Sequence, residues 1–150
     1  MFLLWGVVLC QSLVQKDVDM CHGVDIREIS IAKVHERYWD GTLTPGRLTA
    51  CYLDRILALN PALGAVVSIN PLALTKATEL DQLGDDRFRL KLFGIPVLVN
   101  DNIAAEGMQT TAGSLMLYDF LPKSDALVVE RLLEQGAIIL GKANLSEMAG

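Results

Sequence analysis

The sequence predicts an α/β fold that contains a parallel βαβ unit. Two short apolar runs, residues 97–99 and residues 137–140, are typical of buried strands. Between them, residues 124–125 can cap a helix that Gly136 ends. This helix is expected to turn four apolar side chains towards a core: Val128, Val129, Leu132 and Leu133. A strand, a crossover helix and a strand of these lengths favour parallel, right-handed pairing.

The first half of the chain predicts a helical region around one further strand. Ser30 caps a first helix with apolar residues at helical spacing, and Gly41 supplies its left-handed end. Thr44 followed by proline starts a second helix, which Asn60 and Pro61 are expected to end. The remaining predictions are a strand over residues 64–69, a third helix over residues 72–83 and a polar connector over residues 84–91.

The composition is that of an acidic, globular protein of one domain. Of its 150 residues, 51% are hydrophobic and 21% charged, and the formal net charge is -5. The absence of a basic stripe argues against nucleic acid as a partner. Cys10, Cys21 and Cys51 lack CxxC spacing and nearby histidines, and His22 and His35 are interpreted as surface or helix-face residues. We therefore expect no metal ion.

Residues 1–18 are predicted to be a secretory signal peptide or apolar leader. Residues 2–10, FLLWGVVLC, form an unbroken apolar run that is too short to span a bilayer. No Lys or Arg precedes the run, so two alternatives stay open. The run could form an N-terminal strand or helix that packs on the domain, or it could be sequence added by an imperfect gene start. In either case the protein would be cytoplasmic. In the secretory pathway, Cys21 and Cys51 would be a candidate disulfide.

A polar cluster follows the predicted strand at residues 97–99. Asn100, Asp101 and Asn102 fall at its carboxyl end, where α/β proteins bind ligands. The alternative is an Asx-rich turn, because these side chains commonly satisfy their own backbone. The long loop that comes next carries QTTAGS at residues 109–114, in which hydroxyls and a glycine allow close backbone approach to a ligand or form an ordinary turn.

Several separated motifs together resemble the amino-terminal part of the amidase signature family, especially its plant and fungal members. The similarity covers the chain from about residue 29 to Gly150, and residues 25–150 are assigned to this domain portion. The motifs, in chain order, are GTLTPGRLTACYLDRILALNP, GIPVLVNDNI, TTAGS and SDALVVERLLEQGAIILGKANLSE. The resemblance implies a mixed sheet covered by helices and hydrolysis of small amides by a Ser, cis-Ser, Lys triad. It implies no metal and no organic cofactor.

Asn100 departs from the family pattern. The family carries the lysine base of the proton relay at this position, whereas an amide side chain has no proton-accepting state near neutral pH. Lys142 is not interpreted as a substitute, because the family carries that lysine as well. The resemblance therefore assigns no catalytic residue to this chain.

The family's serine- and glycine-rich segment, with both serines and the oxyanion hole, has no counterpart before Gly150. The chain is therefore interpreted as a truncated amidase that is inactive as it stands. A pseudoenzyme or binding module on the same scaffold is the alternative. An unrelated α/β enzyme is disfavoured, because no phosphate-binding glycine pattern follows either strand. Uncovered apolar surface would favour self-association.

Further interpretations concern other polar residues. The resemblance implies that Thr111 and Ser114 lie near the family's cleft, and they are predicted to bind substrate. Asn144 begins a glycosylation sequon, but it is preferred as the cap of a helix that starts at Leu145.

Overall fold

The computed structural model describes residues 18–83 and 89–150. The predicted leader at residues 1–18, with Cys10, lies almost wholly outside the described residues, as do residues 84–88 of the predicted connector. No helix among the residues described is both long and apolar enough to cross a membrane.

A three-stranded mixed sheet forms the centre of the fold. Its strands are β3 (Val66–Ile69), β4 (Pro96–Asn100) and β5 (Ile138–Ala143). The strand β5 lies in the middle, parallel to β4 and antiparallel to β3. Because β5 is covered on both faces, it begins with three consecutive apolar residues, and all its residues but the last are buried, Lys142 among them. The predicted mixed sheet with a parallel pair is confirmed.

Helices cover both faces of this sheet. On one face, α2 (Pro45–Leu63) and α3 (Ala73–Asp81) pack over Ile138 and Leu140 of β5. On the other face, α4 (Leu127–Glu134) packs with Val129 against Ile139. Side chains alternate between faces along a strand, so consecutive β5 residues serve two separate clusters.

The first helix, α1 (Ile31–Trp39), is built as predicted. The Ser30 hydroxyl accepts from the Lys33 N–H, Val34 and Tyr38 are buried, and Gly41 has a left-handed φ of 77° just past the helix. The Tyr38 hydroxyl donates to the Gly94 carbonyl at 2.8 Å and so fastens α1 beside the entry to β4.

The predicted end of the second helix is wrong. Thr44 caps α2 as expected, but the helix continues through Pro61 to Leu63 and ends at Gly64, whose φ is 59°. Proline removes only its own N–H, and in the last turn the left-handed glycine decides where the helix stops. The Asn60 side chain instead accepts from and donates to the backbone of Val66, at 2.8 and 2.9 Å, and so positions β3.

Two expectations for α4 are also wrong. The N-cap is Ala126 and has no side-chain hydrogen bond, while Asp125 accepts from the Glu106 N–H at 2.6 Å. Val128 and Leu133 are 51% and 43% exposed, so only part of the predicted apolar face is buried. One sheet face covers one stripe of a two-turn helix, and that stripe is centred on Val129.

The N-terminal part of the described chain forms a hairpin that sequence patterns did not reveal. Its two-residue strands are β1 (Met20–Cys21) and β2 (Val24–Asp25), joined by a turn in which His22 and Gly23 both have positive φ. A disulfide joins Cys21 to Cys51 of α2, with the Cα atoms 5.8 Å apart. The predicted pairing of these cysteines is thereby present in the fold.

Candidate functional site

The first two residues of the polar cluster, at the carboxyl end of β4, differ in burial. Asn100 is exposed and pairs in register with Ala143. Asp101 is 1% exposed, and its N–H continues the ladder by donating to the Ala143 carbonyl at 3.0 Å. Alternation along an extended chain therefore separates two polar neighbours, one facing solvent and one facing the interior.

Asp101 and Lys142 form the polar centre of the interior side. Lys142 is completely buried, and its Nζ lies 4.0 Å from Asp101 Oδ1. The ammonium group donates to the Ile103 carbonyl and to Thr110 Oγ1, the latter at 3.0 Å. Burial lowers the pKa of Lys142, and the negative charge of Asp101 opposes this by raising it.

This buried pair fixes the loop that follows the strand. Asp101 Oδ2 accepts from the Thr111 N–H at 3.1 Å and from the Thr111 hydroxyl. The Asp101 carbonyl accepts from the Ala112 N–H at 3.0 Å. Both charged groups lie in a region without water access. Removing either one would therefore leave the other as a buried, unpaired charge. The arrangement can hold a loop rigidly at the strand ends.

The TTAGS loop packs against the last residues of the chain. Ser114 is 4% exposed, and its hydroxyl donates to Glu147 Oε1 at 2.8 Å. Gly113 has a φ of 70°, and a Cβ there would lie 3.2 Å from the Leu145 carbonyl oxygen. The hydroxyls of Thr111 and Ser114 are thus used within the protein, and substrate contact by either residue stays a prediction.

The preferred interpretation of Asn144 is wrong. Residues Glu147–Ala149 form a short 3-10 turn preceded by Ser146, and no helix starts at Leu145. The exposed Asn144 side chain donates to the Gly64 carbonyl at 2.8 Å and accepts from the Leu145 N–H. The Asn144 side chain, which the sequence suggested as a helix cap, therefore forms a long-range contact with Gly64 instead.

A cavity of about 620 Å³ lies at the opposite end of β5. It is lined by one side of α3, by residues 105–108 and by residues 136–139. Asn100, Thr111 and Ser114 do not line it. These three residues at the strand end are thus separate from that cavity.

The sequence analysis did not find one group of potential metal ligands, because the fold brings its residues together. The sulfurs of Cys21 and Cys51 and a ring nitrogen of His22 lie within 4.8 Å of one another. The sequence argument that no histidine stands near the cysteines was wrong, since His22 follows Cys21 directly. Spacing rules did not find the group because Cys51 is 30 residues away.

Comparison with known proteins places this fold in a family. The sequence model described as Amidase matches residues 47–150. "Probable amidase At4g34880" of Arabidopsis thaliana is 38% identical over 152 aligned positions, which cover 95% of this chain and 30% of that protein. The chain belongs to the amidase family, and the predicted resemblance is confirmed.

Two solved structures agree with the sequence comparison. The peptide amidase of Stenotrophomonas maltophilia superposes with a TM-score of 0.73 and 46% identity, over 80% of this chain and 25% of its own. An amidase family protein from Bacillus anthracis superposes with a TM-score of 0.75 and 35% identity, over 93% of this chain and 27% of its own. The chain thus spans about a quarter of the length of the relatives it matches.

Proposed function

We propose that this chain forms the amino-terminal part of an amidase domain and does not itself hydrolyse amides. In this proposal the whole domain cleaves a carboxylic amide by a Ser, cis-Ser, Lys relay. The observation that carries the proposal is Asn100, which stands at the exposed carboxyl end of β4. The resemblance implies a lysine at this position in the family.

The chemistry of Asn100 supports a broken relay. A lysine serves as base when its site lowers its pKa, so that the neutral amine accepts a proton from the bridging serine. A carboxamide has no such state, although it can still hydrogen-bond a hydroxyl. Loss of one triad member typically lowers the rate by roughly a thousandfold to a millionfold.

The geometry of Lys142 supports the view that it is no replacement base. Its Nζ is completely buried, donates to Ile103 and Thr110 and faces the carboxylate of Asp101. A base must come within hydrogen-bond reach of the proton it removes. Lys142 points to the interior side of the strand end, whereas Asn100 is exposed.

The first test is hydrolysis of a small chromogenic amide by the 150-residue chain. We expect no activity above buffer, and none after Asn100→Lys, because a restored base would have neither a serine to deprotonate nor an oxyanion hole. The folded state of both versions is checked by circular dichroism. Hydrolysis by the unaltered chain, abolished by a serine-directed inhibitor, would overturn the proposal.

A binding module on the same scaffold is the second candidate, and exposed apolar side chains favour it. Leu115 and Met116 are 90% and 88% exposed, directly after the TTAGS loop. We propose that this surface mediates self-association. Analytical ultracentrifugation should give a concentration-dependent mass that falls to the monomer value in a Leu115→Ser, Met116→Ser variant, and a monomer at all concentrations would contradict it.

We also propose that the protein enters the secretory pathway. The Cys21–Cys51 disulfide supports this location, because such bonds persist in oxidising compartments. Mass spectrometry of the protein recovered from the culture medium should find a mature terminus before about Asp19 and no Cys10. Recovery only from cytoplasm, with both cysteines reduced, would contradict the proposal.

A further inference from the structure

We infer that the reduced chain holds a zinc site made by Cys21, Cys51 and His22, which is mutually exclusive with the disulfide. The three donor atoms lie within 4.8 Å of one another. Two thiolates and one imidazole are ligands that Zn²⁺ prefers, and in a tetrahedral site such atoms are about 3.3 to 3.8 Å apart. Small side-chain movements after cleavage of the disulfide therefore suffice. This inference does not depend on the proposed amide chemistry.

The backbone that carries these ligands is held by contacts other than the disulfide. The Tyr52 hydroxyl donates to the Ile26 carbonyl at 3.0 Å, which joins α2 to the end of the hairpin. Asp19 forms an ion pair with Arg55, and the Ile26 side chain is 2% exposed in the core. Reduction thus leaves the hairpin docked on α2, with the two sulfurs still opposite each other.

The turn fixes the third ligand. His22 occupies a left-handed position with a φ of 48°, followed by Gly23 with a φ of 83°, the arrangement of a tight hairpin turn. The backbone of His22 is consequently held beside Cys21 in the turn between the two paired strands, and the residue is exposed, so its imidazole can turn towards the sulfurs. An exposed third ligand leaves the fourth coordination position open to water.

The burial of Cys21 favours metal binding in the reduced chain. Cys21 is completely buried, so a thiolate formed there in the reduced chain would be costly without a compensating positive charge. Zinc provides that charge. In the first step a dithiol reductant is oxidised to its own disulfide while Cys21 and Cys51 become thiols. In the second step Zn²⁺ binds both sulfurs and the imidazole, and two thiol protons are released to solvent.

The test uses Co²⁺ as a spectroscopic probe that Zn²⁺ displaces. The 150-residue chain carrying Cys10→Ser, which removes the third thiol, is compared in its reduced and oxidised forms. We expect the reduced form to bind one Co²⁺ with a thiolate-to-cobalt charge-transfer band that Zn²⁺ abolishes, and the oxidised form to show no band.

His22→Asn removes the ligand but keeps a residue that tolerates the left-handed turn. We expect it to weaken Co²⁺ affinity by at least about tenfold. The matched control is Glu28→Asn, at another exposed position with positive φ, 51°, and it should bind as the parent does. No charge-transfer band in the reduced chain, or equal affinity in His22→Asn and the parent, would overturn the inference. So would binding of equal strength to the urea-unfolded chain, since the site would then not be formed by the fold.

Discussion

Asn100 is exposed at the end of β4, whereas Asp101, the next residue, is 1% exposed and bound to the backbone and hydroxyl of Thr111. In the sequence they form one polar cluster, and either could be chosen as a functional residue. The fold places them differently: Asp101 organises the loop that follows the strand, and Asn100 is exposed at the strand end. The comparison shows that burial, more than residue type, identifies Asp101 as a structural polar group, while the base position proposed for Asn100 stays a prediction.

The largest difference between the two positions should be in stability. Asp101→Ala leaves the Lys142 ammonium buried without its carboxylate, so we expect a loss of about 3–5 kcal/mol in the free energy of unfolding. Asn100→Ala is the matched control and should change it by less than about 0.5 kcal/mol, because the side chain is exposed. Urea denaturation of both variants measures the contrast. Equal losses, or a stable Asp101→Ala variant, would show that the buried pair does not organise this end of the sheet.

Adding one methyl group at Gly113, in the loop held by Asp101, should lower the stability of the protein. Gly113→Ala combines an unfavourable φ of 70° with a Cβ 3.2 Å from the Leu145 carbonyl oxygen, and we expect a loss of about 1–3 kcal/mol. Gly107→Ala is the control, since its φ of 76° is similar but its Cβ would meet nothing within 4 Å. The difference between their unfolding free energies isolates the close packing of the loop on the chain's last residues. Identical values would mean that this packing contributes nothing.

A smaller effect concerns pH and Lys142. The folded-state pKa of Lys142 is lowered from its ordinary value of 10.5, mainly by burial. Between the two pKa values the unfolded chain binds more protons than the folded chain, so the free energy of unfolding rises with pH in that window.

The pH effect is measured against Lys142→Arg, whose guanidinium keeps the charge and does not titrate there. Urea denaturation from neutral pH to just above pH 10 should show a steeper rise for the unaltered chain than for the variant. Parallel curves would contradict the lowered pKa.

Much of the fold was predictable because it depends on local patterns. Apolar runs gave β4 and β5, and Ser30, Thr44 and Gly41 marked helix boundaries through capping and left-handed geometry. Resemblance identified the family. The predictions that failed concern side chains diverted to distant partners, such as Asn144 to Gly64 and Asp125 to Glu106. No local pattern encodes such partners.

The candidate site was only partly predictable for the same reason. The location of the polar cluster at the strand end could be inferred from sequence, and the departure from the family pattern at Asn100 stays a prediction. The pairing of Lys142 with Asp101 could not, because it joins two strands that are adjacent only after the sheet forms. The meeting of His22 with Cys51 likewise requires the hairpin to dock on α2.

The central claim, that Asn100 occupies the base position while Lys142 is structural, is tested most directly by one ratio of rates. The chain is extended with the serine-rich segment of an amidase relative, and kcat for a small chromogenic amide is measured with and without Asn100→Lys. We predict a rise of roughly a thousandfold or more, because the relay would again be complete. Equal rates in the extended pair would contradict the claim and show that the base lies elsewhere.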